Sequence, residues 1–224
     1  MSESLPAPDP GRFPELSGDP TWVRAVPAGA LLARIYRSGG AHPTEWHAFR
    51  TYGPLDGRFD PHPEPVGEHD GVGVMYAVLE GPVGAEDSLD GPFAAALLEV
   101  FQEQRMIRRS AGAPVLAAFE AARPLRLLDL ADSDWIAVAG GNAAIASGER
   151  ARSRAWARAI AARYPELDGV VSASSLVPSA RVVALWAPAA SALPEHPLAL
   201  IPLDRPELTA LIDRVATRYA YTLL

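Results

Sequence analysis

Alternation of apolar and polar positions picks out a series of short strands. Leu31–Arg37 is apolar at Leu31, Ala33 and Ile35 with Arg34 and Tyr36 between, the period-two pattern of a strand. Val74–Leu79 predicts a second, closed by the breaker Gly81-Pro82. Val115–Ala118 and Leu125–Leu130 follow, split by Arg123-Pro124, and then Gly169–Ser172 and Val182–Trp186. Helical periodicity appears in three places. The first helix is expected from Asp90 to about Arg109, with Pro92 in its first turn and Phe93, Leu97, Val100 and Phe101 on one face. Glu99 falls about 160° from the centre of that stripe, beside Ala95, Ala96 and Glu103. The second spans about 149–164 and buries Ala155, Trp156, Ala159 and Ile160; the third starts near Pro206 and buries Leu208, Leu211, Ile212 and Val215. Strands and helices alternate without regular β-α spacing, which favours an α+β domain over a doubly wound sheet.

Two stretches resist both periods. Residues 1–29, with five prolines in the first twenty, predict an extended or poorly ordered leader ahead of a single domain at 30–224. Residues 38–73 are rich in Gly, Pro, His and acids; a loop of that length in a compact domain is usually functional or disordered.

Composition narrows the chemistry. The chain is 49% hydrophobic. Many of those residues are alanines, yet with 21% charged residues enough remains for a core. Every basic residue is arginine, so a Schiff-base lysine and a P-loop lysine are both excluded. The absence of cysteine removes disulfides, thiolate nucleophiles and cysteine metal sites together. A net charge of −7 argues against a protein that coats nucleic acid or an anionic membrane. No hydrophobic signal region and no run of about 18 apolar residues occurs, so the expectation is a cytoplasmic protein without a membrane span.

Familiar catalytic motifs are missing: no GxGxxG, no GxxxxGK[ST], no HExxH, no GxSxG. Gly140-Gly141-Asn142 reads as a turn. His62, Glu64, Glu68, His69 and Asp70 are metal-capable side chains, but two histidines seven apart in a proline-broken loop fix no coordination geometry. We therefore expect a solvated loop there and no metal. Polar residues lodged in apolar surroundings are more informative: Arg34 inside the first strand, Arg58 in Gly57-Arg58-Phe59-Asp60, Tyr76 in mid-strand, Glu99 after Leu97-Leu98, and Ser174-Ser175 at a strand end. Each alone has an ordinary reading as a surface, packing or turn residue.

In chain order these words form a pattern. Gly57-Arg58-Phe59-Asp60, Gly73-Val74-Met75-Tyr76-Ala77 and Ala96-Leu97-Leu98-Glu99-Val100-Phe101-Gln102 come first. Leu127-Leu128-Asp129-Leu130, Ser147-Gly148-Glu149-Arg150-Ala151-Arg152 and Asp168-Gly169 ahead of Ser174-Ser175 complete it. The series resembles the RES domain, a family named for an arginine, a glutamate and a serine, over roughly residues 30–220. An acidic, glycine-rich insertion, Glu80–Gly91, interrupts it.

The resemblance implies an α+β fold similar to ADP-ribosyltransferases and chemistry on NAD. It also implies a toxin held by a helix-turn-helix (Xre-like) antitoxin. Arg58, Tyr76, Glu99 and Ser174 would be the catalytic set, with Arg34, Arg58, Tyr76 and Ser175 contacting substrate; Ser172 or Ser175 stands as an alternative to Ser174. NAD would be substrate rather than cofactor, with phosphate a possible co-substrate and no other cofactor. Transfer of ADP-ribose to a macromolecule, or binding without turnover, are the alternatives to NAD phosphorolysis or hydrolysis.

The residue types suit that reaction. The nicotinamide–ribose bond has a cationic leaving group, so the site must grip the pyrophosphate, offer an aromatic surface and place negative charge by a ribosyl cation. An arginine fork, a strand-held tyrosine and a carboxylate meet those needs. Arg58, Tyr76 and Glu99 are accordingly expected to converge on one cleft, with Arg58 and Glu99 paired when it is empty.

Overall fold

The structure, a computed structural model, describes residues 4–79 and 91–224. Two of the expected strand segments form with the bounds predicted, Leu31–Arg37 and Val74–Leu79. In chain order the strands are β1 (Val23–Val26), β2 (Leu31–Arg37), β3 (Tyr52–Gly53), β4 (Gly67–Glu68), β5 (Val74–Leu79) and β6 (Met106–Ile107). They continue with β7 (Pro114–Glu120), β8 (Leu125–Asp129), β9 (Gly169–Ala173), β10 (Arg181–Trp186), β11 (Ala199–Pro202) and β12 (Thr222–Leu223). The α-helices are α1 (Pro92–Phe101), α2 (Trp135–Val138), α3 (Ala144–Ser147), α4 (Arg150–Arg163) and α5 (Thr209–Tyr219).

Eight strands form one sheet in the order β1-β8-β9-β10-β5-β2-β7-β11. Only β8 and β9 run parallel; the other neighbours are antiparallel. One face buries Leu32, Met75, Ala77, Leu127, Val183 and Leu185, with Trp46 and Phe49 packed against it. The other face carries two separate cores. Around Trp135 and Trp156 lie α2, α4 and the N-terminal segment; around Leu97, Leu98, Ile212 and Val215 lie α1 and α5. This is a single α+β domain, and the gap between its two helical cores is where the site forms. Among the described residues no helix is long and apolar enough to cross a membrane.

Three expectations need correction. The leader is part of the domain: Val23–Val26 pairs with β8 as an edge strand, and Leu5, Phe13 and Trp22 are buried. Phe13 stacks on Trp156 at 5.4 Å between ring centres. Its prolines start short 3-10 turns at Pro10–Arg12 and Pro20–Trp22 instead of leaving the chain loose. The first helix is also shorter than its periodicity suggested, ending at Phe101. A turn with Arg105 at φ 48° then lays β6 beside β12. Its burial differs too: Ala94, Ala95, Ala96, Leu97, Leu98 and Phe101 are buried while Val100 is exposed, because alanines let the sheet and α5 approach closely. Finally, α4 buries Ser153, Trp156, Ala157 and Ile160, leaving Ala155 and Ala159 half-buried. Asp90, the breaker Gly81-Pro82 and the insertion up to Asp90 lie outside the described residues.

Candidate active site

A cleft of about 790 Å³ opens between α1 and the start of α4. Its floor is the helical face of the sheet, with Tyr76 of β5, Ser172 of β9 and Val182 of β10. Ala96, Glu99 and Val100 of α1 form one side, and Ala146 and Arg150 the other. The long segment before β5 supplies the remaining wall, including Arg50, Tyr52, Leu55 and Arg58. Arg58, Tyr76 and Glu99 thus converge on one cleft as expected.

Glu99 is the most tightly defined side chain there. Ser174 Oγ donates to its Oε1 at 2.6 Å, and Gln102 Nε2 donates to Oε2 at 3.2 Å and to the Glu99 carbonyl at 3.0 Å. The Ser174 hydroxyl in turn accepts from the backbone N–H groups of Leu176 and Val177, at 3.2 and 3.1 Å. Because a hydroxyl has one proton and two lone pairs, those acceptor bonds leave its single proton aimed at Glu99. Ser174 is buried behind the carboxylate, whereas Ser172 and Ser175 line the cleft.

Arg58 is not paired with Glu99. Its Nη1 donates to the Gly148 carbonyl at 2.7 Å and to Ser153 Oγ at 3.3 Å, and Ser153 donates onward to the Ile145 carbonyl at 2.8 Å. The α3–α4 junction thereby seats the guanidinium from behind. Among the described residues no carboxylate lies within ion-pair distance of Arg58. Burial first, and the neighbouring Arg150 charge second, lower its pKa from the usual arginine value, with Glu99 and Tyr76 acting the other way. A half-buried cation with no ion-pair partner among the described residues favours an anionic occupant.

Tyr76 is held neutral: burial, then the negative charge of Asp60, pushes its phenol well above the ordinary range. Its ring tip lies against Gly57, where an added Cβ would stand 2.2 Å from Oη and 2.8 Å from Cζ. Only glycine allows that contact.

Arg34 behaves differently. In the alternation of β2 it follows Leu32, placing its side chain on the sheet face away from Tyr76. Its Nη1 donates to the carbonyls of Trp46 and Ala48, both at 3.2 Å. Desolvation by burial lowers its pKa to about 10. Arg34 pins the cleft wall through those two carbonyls, yet it also lines the cleft, and its buried Nε has no hydrogen-bond partner among the described residues.

The metal-capable cluster has another structure. His62 and Asp60 are fully buried and joined through Nδ1 and Oδ1. Asp60 also accepts from Arg50 Nη2 at 2.7 Å, from Leu55 N at 2.8 Å and from His62 N at 3.0 Å. Among the described residues no three His, Asp or Glu side chains gather as a metal site. Asp60 is instead the knot that ties both ends of the Arg58 loop. Sequence reasoning missed Gln102, Ser153 and this role of Asp60. Asp60 sat inside the quoted Gly57–Asp60 word, and Ser153 one helical turn before Trp156 was a polar residue on a buried face.

No protein-family model matches the sequence, and no curated protein matches it. Among solved structures the chain is similar to one from the M. tuberculosis MbcT–MbcA toxin–antitoxin complex. The identity is 15% and the TM-score 0.49, over 86% of this chain and 92% of that one.

Proposed function

We propose that this chain is an NAD-consuming enzyme of the RES kind that breaks the nicotinamide–ribose bond, by phosphorolysis or hydrolysis. We propose further that it serves as a toxin restrained by a helix-turn-helix antitoxin. One observation carries the reading: a cation without a carboxylate partner among the described residues (Arg58), a neutral tyrosine (Tyr76) and a doubly hydrogen-bonded carboxylate (Glu99) line one cleft.

In this reading Arg58 holds the diphosphate. Tyr76 offers its ring edge and face to the nicotinamide. Glu99 faces the anomeric carbon, where positive charge grows as the C–N bond breaks and its electron pair leaves with nicotinamide. Ser174 and Gln102 have already fixed the carboxylate, so it need not reorganise as that charge appears. Phosphate or water then adds to the ribosyl cation. Arg150, in the first turn of α4 at the cleft edge, is placed to attract the anionic nucleophile. The hydrogen bond from Ser174 to Glu99 weakens the case for a member that has lost turnover, since the serine segment still holds its carboxylate.

Incubation with NAD, with and without phosphate, tests the reading. Nicotinamide with ADP-ribose 1″-phosphate is the phosphorolysis product, and nicotinamide with free ADP-ribose the hydrolysis product. Undiminished NAD after long incubation with folded protein would overturn it. For the toxin role, growth arrest on expression, relieved by a co-expressed helix-turn-helix partner, is the expected outcome.

A further inference from the structure

Exposed apolar surface is unevenly spread on this protein. Eight large apolar side chains stand out as exposed among the described residues, and three of them line the one cleft: Tyr52 at 45%, Leu55 at 42% and Val100 at 38%. Apolar surface gathered at the lip of a polar cleft marks a place where a ligand completes the burial. No ring–ring contact among the described residues involves Tyr52, and nearly half of its surface is exposed.

The backbone beneath this lip is rigidly held. Arg50 donates to the Tyr52 carbonyl, and its other end is fixed by buried Asp60. Tyr52 pairs with Glu68 across β3 and β4, while Thr51 Oγ1 donates to Glu68 at 2.7 Å. The N–H of Leu55 is tied to Asp60 at 2.8 Å. Gly53 packs so closely on the His62 ring that an added Cβ would stand 2.6 Å from Cγ. A tyrosine standing on a fixed backbone loses little freedom when a flat group stacks on it.

We infer that Tyr52, with Leu55 beside it, forms a shelf for a second aromatic base, the purine of a dinucleotide, at the outer end of the cleft. This rests on the reading of the cleft as a dinucleotide site. Arg58 grips phosphate in the middle and Glu99 faces the reacting ribose on α1, so a base at the far end of the diphosphate comes to the lip. A substrate with one nucleotide fills only the inner part. The shelf therefore selects dinucleotides over mononucleotides through ground-state binding, without touching the reacting atoms.

Steady-state kinetics of the wild type, Tyr52→Ala and Tyr52→Phe with NAD and with nicotinamide mononucleotide test this, with AMP as competitor. Tyr52→Ala is expected to raise KM for NAD on the order of tenfold, the scale of one lost base–aromatic stack. It should leave kcat and the KM for the mononucleotide unchanged and weaken AMP competition to the same extent. Tyr52→Phe, which keeps the ring, should match the wild type. An unchanged KM for NAD in Tyr52→Ala, as expected if the lip serves a protein partner instead, overturns the shelf; so does an equal rise for both substrates. If the wild type leaves NAD intact, the proposed reaction fails separately, and direct titration of AMP decides the shelf. Weaker AMP binding by Tyr52→Ala then supports it, and equal or absent binding in both proteins overturns it.

Discussion

Glu99 has both carboxylate oxygens occupied before any ligand arrives, by Ser174 at 2.6 Å and Gln102 at 3.2 Å. Each oxygen keeps a further lone pair, so the carboxylate can still accept from a substrate hydroxyl as well as offer its negative charge. Glu99→Gln keeps the shape and an oxygen for Ser174 but removes the charge. Under the proposed mechanism turnover should fall on the order of a hundredfold or more, while KM for NAD changes much less, because the ground-state ribose is not cationic. Near-wild-type turnover would end the catalytic assignment. Arg58→Ala should instead raise KM as well as lower kcat, since it releases the phosphates. Ser174→Ala separates two roles for the serine. If it orients Glu99, turnover should fall by only about tenfold, and loss of the acceptor for two backbone N–H groups should cost about 1–2 kcal/mol of stability. A loss as deep as that of Glu99→Gln would place Ser174 on the reacting atoms instead. Kinetics together with urea unfolding read both quantities.

At the level of elements, the parts of the fold legible in the sequence were those governed by short-range pattern. Both β2 and β5 could be read to the residue, because each is a mostly apolar run in the sheet interior bounded by glycine-rich breaks. The outer strands β1 and β11 could not, having few residues and a single neighbour each. The face of α1 was misread because alanine carries no signal of burial: Ala94–Ala96 go inward only because α5 and the sheet come close. Arg58, Tyr76 and Glu99 were legible as members of an ordered series of words, but their supports were not. Ser153 and Gly148 reach Arg58 from about 90 residues away, a separation that no local pattern encodes. The turn at Gly57 shows how closely these elements fit. In Gly57→Ala the methyl meets the Tyr76 ring tip at 2.2 Å, so the loop carrying Arg58 or the tyrosine must move. Overpacking of this kind costs about 1–3 kcal/mol. Activity should drop more than stability, because the displaced pieces are the two proposed substrate contacts. Activity and denaturant midpoint measured on the same variant check this, and full activity would show that the contact is dispensable.

Across the whole molecule, stability should depend on the N-terminal segment and on pH. Phe13 is buried against Trp135, Trp156 and Tyr164, and Tyr164 donates to the Pro14 carbonyl at 2.6 Å. Phe13→Ala should therefore cost about 3–5 kcal/mol, the usual range for a buried aromatic, read from urea unfolding; a loss under 1 kcal/mol would return the segment to the status of a leader. The pH dependence follows from two groups tied to the cleft. Burial alone would raise the Asp60 pKa, but hydrogen bonds from Arg50, His62 and Leu55 outweigh it and hold the carboxyl below its usual value. The unfolded chain thus takes up that proton at a higher pH than the native one. The contribution is complete above about pH 4 and is lost as pH falls through the lower folded value. Tyr76 has the opposite sign. Its phenol is raised by burial and by Asp60, so the native state keeps a proton that the unfolded chain releases above about pH 10, and stability falls as pH climbs beyond that. Between these limits neither group adds slope. Urea midpoints measured across pH should therefore show an acid limb and an alkaline limb. Asp60→Asn should lower the midpoint at neutral pH and flatten the acid limb, leaving the parts due to Asp132 and Asp19, whose carboxyls Arg181 and Thr21 also hold low. Tyr76→Phe should flatten the alkaline limb alone. An acid limb of full steepness in Asp60→Asn would mean that the buried knot beneath the Arg58 loop does not titrate as its geometry requires.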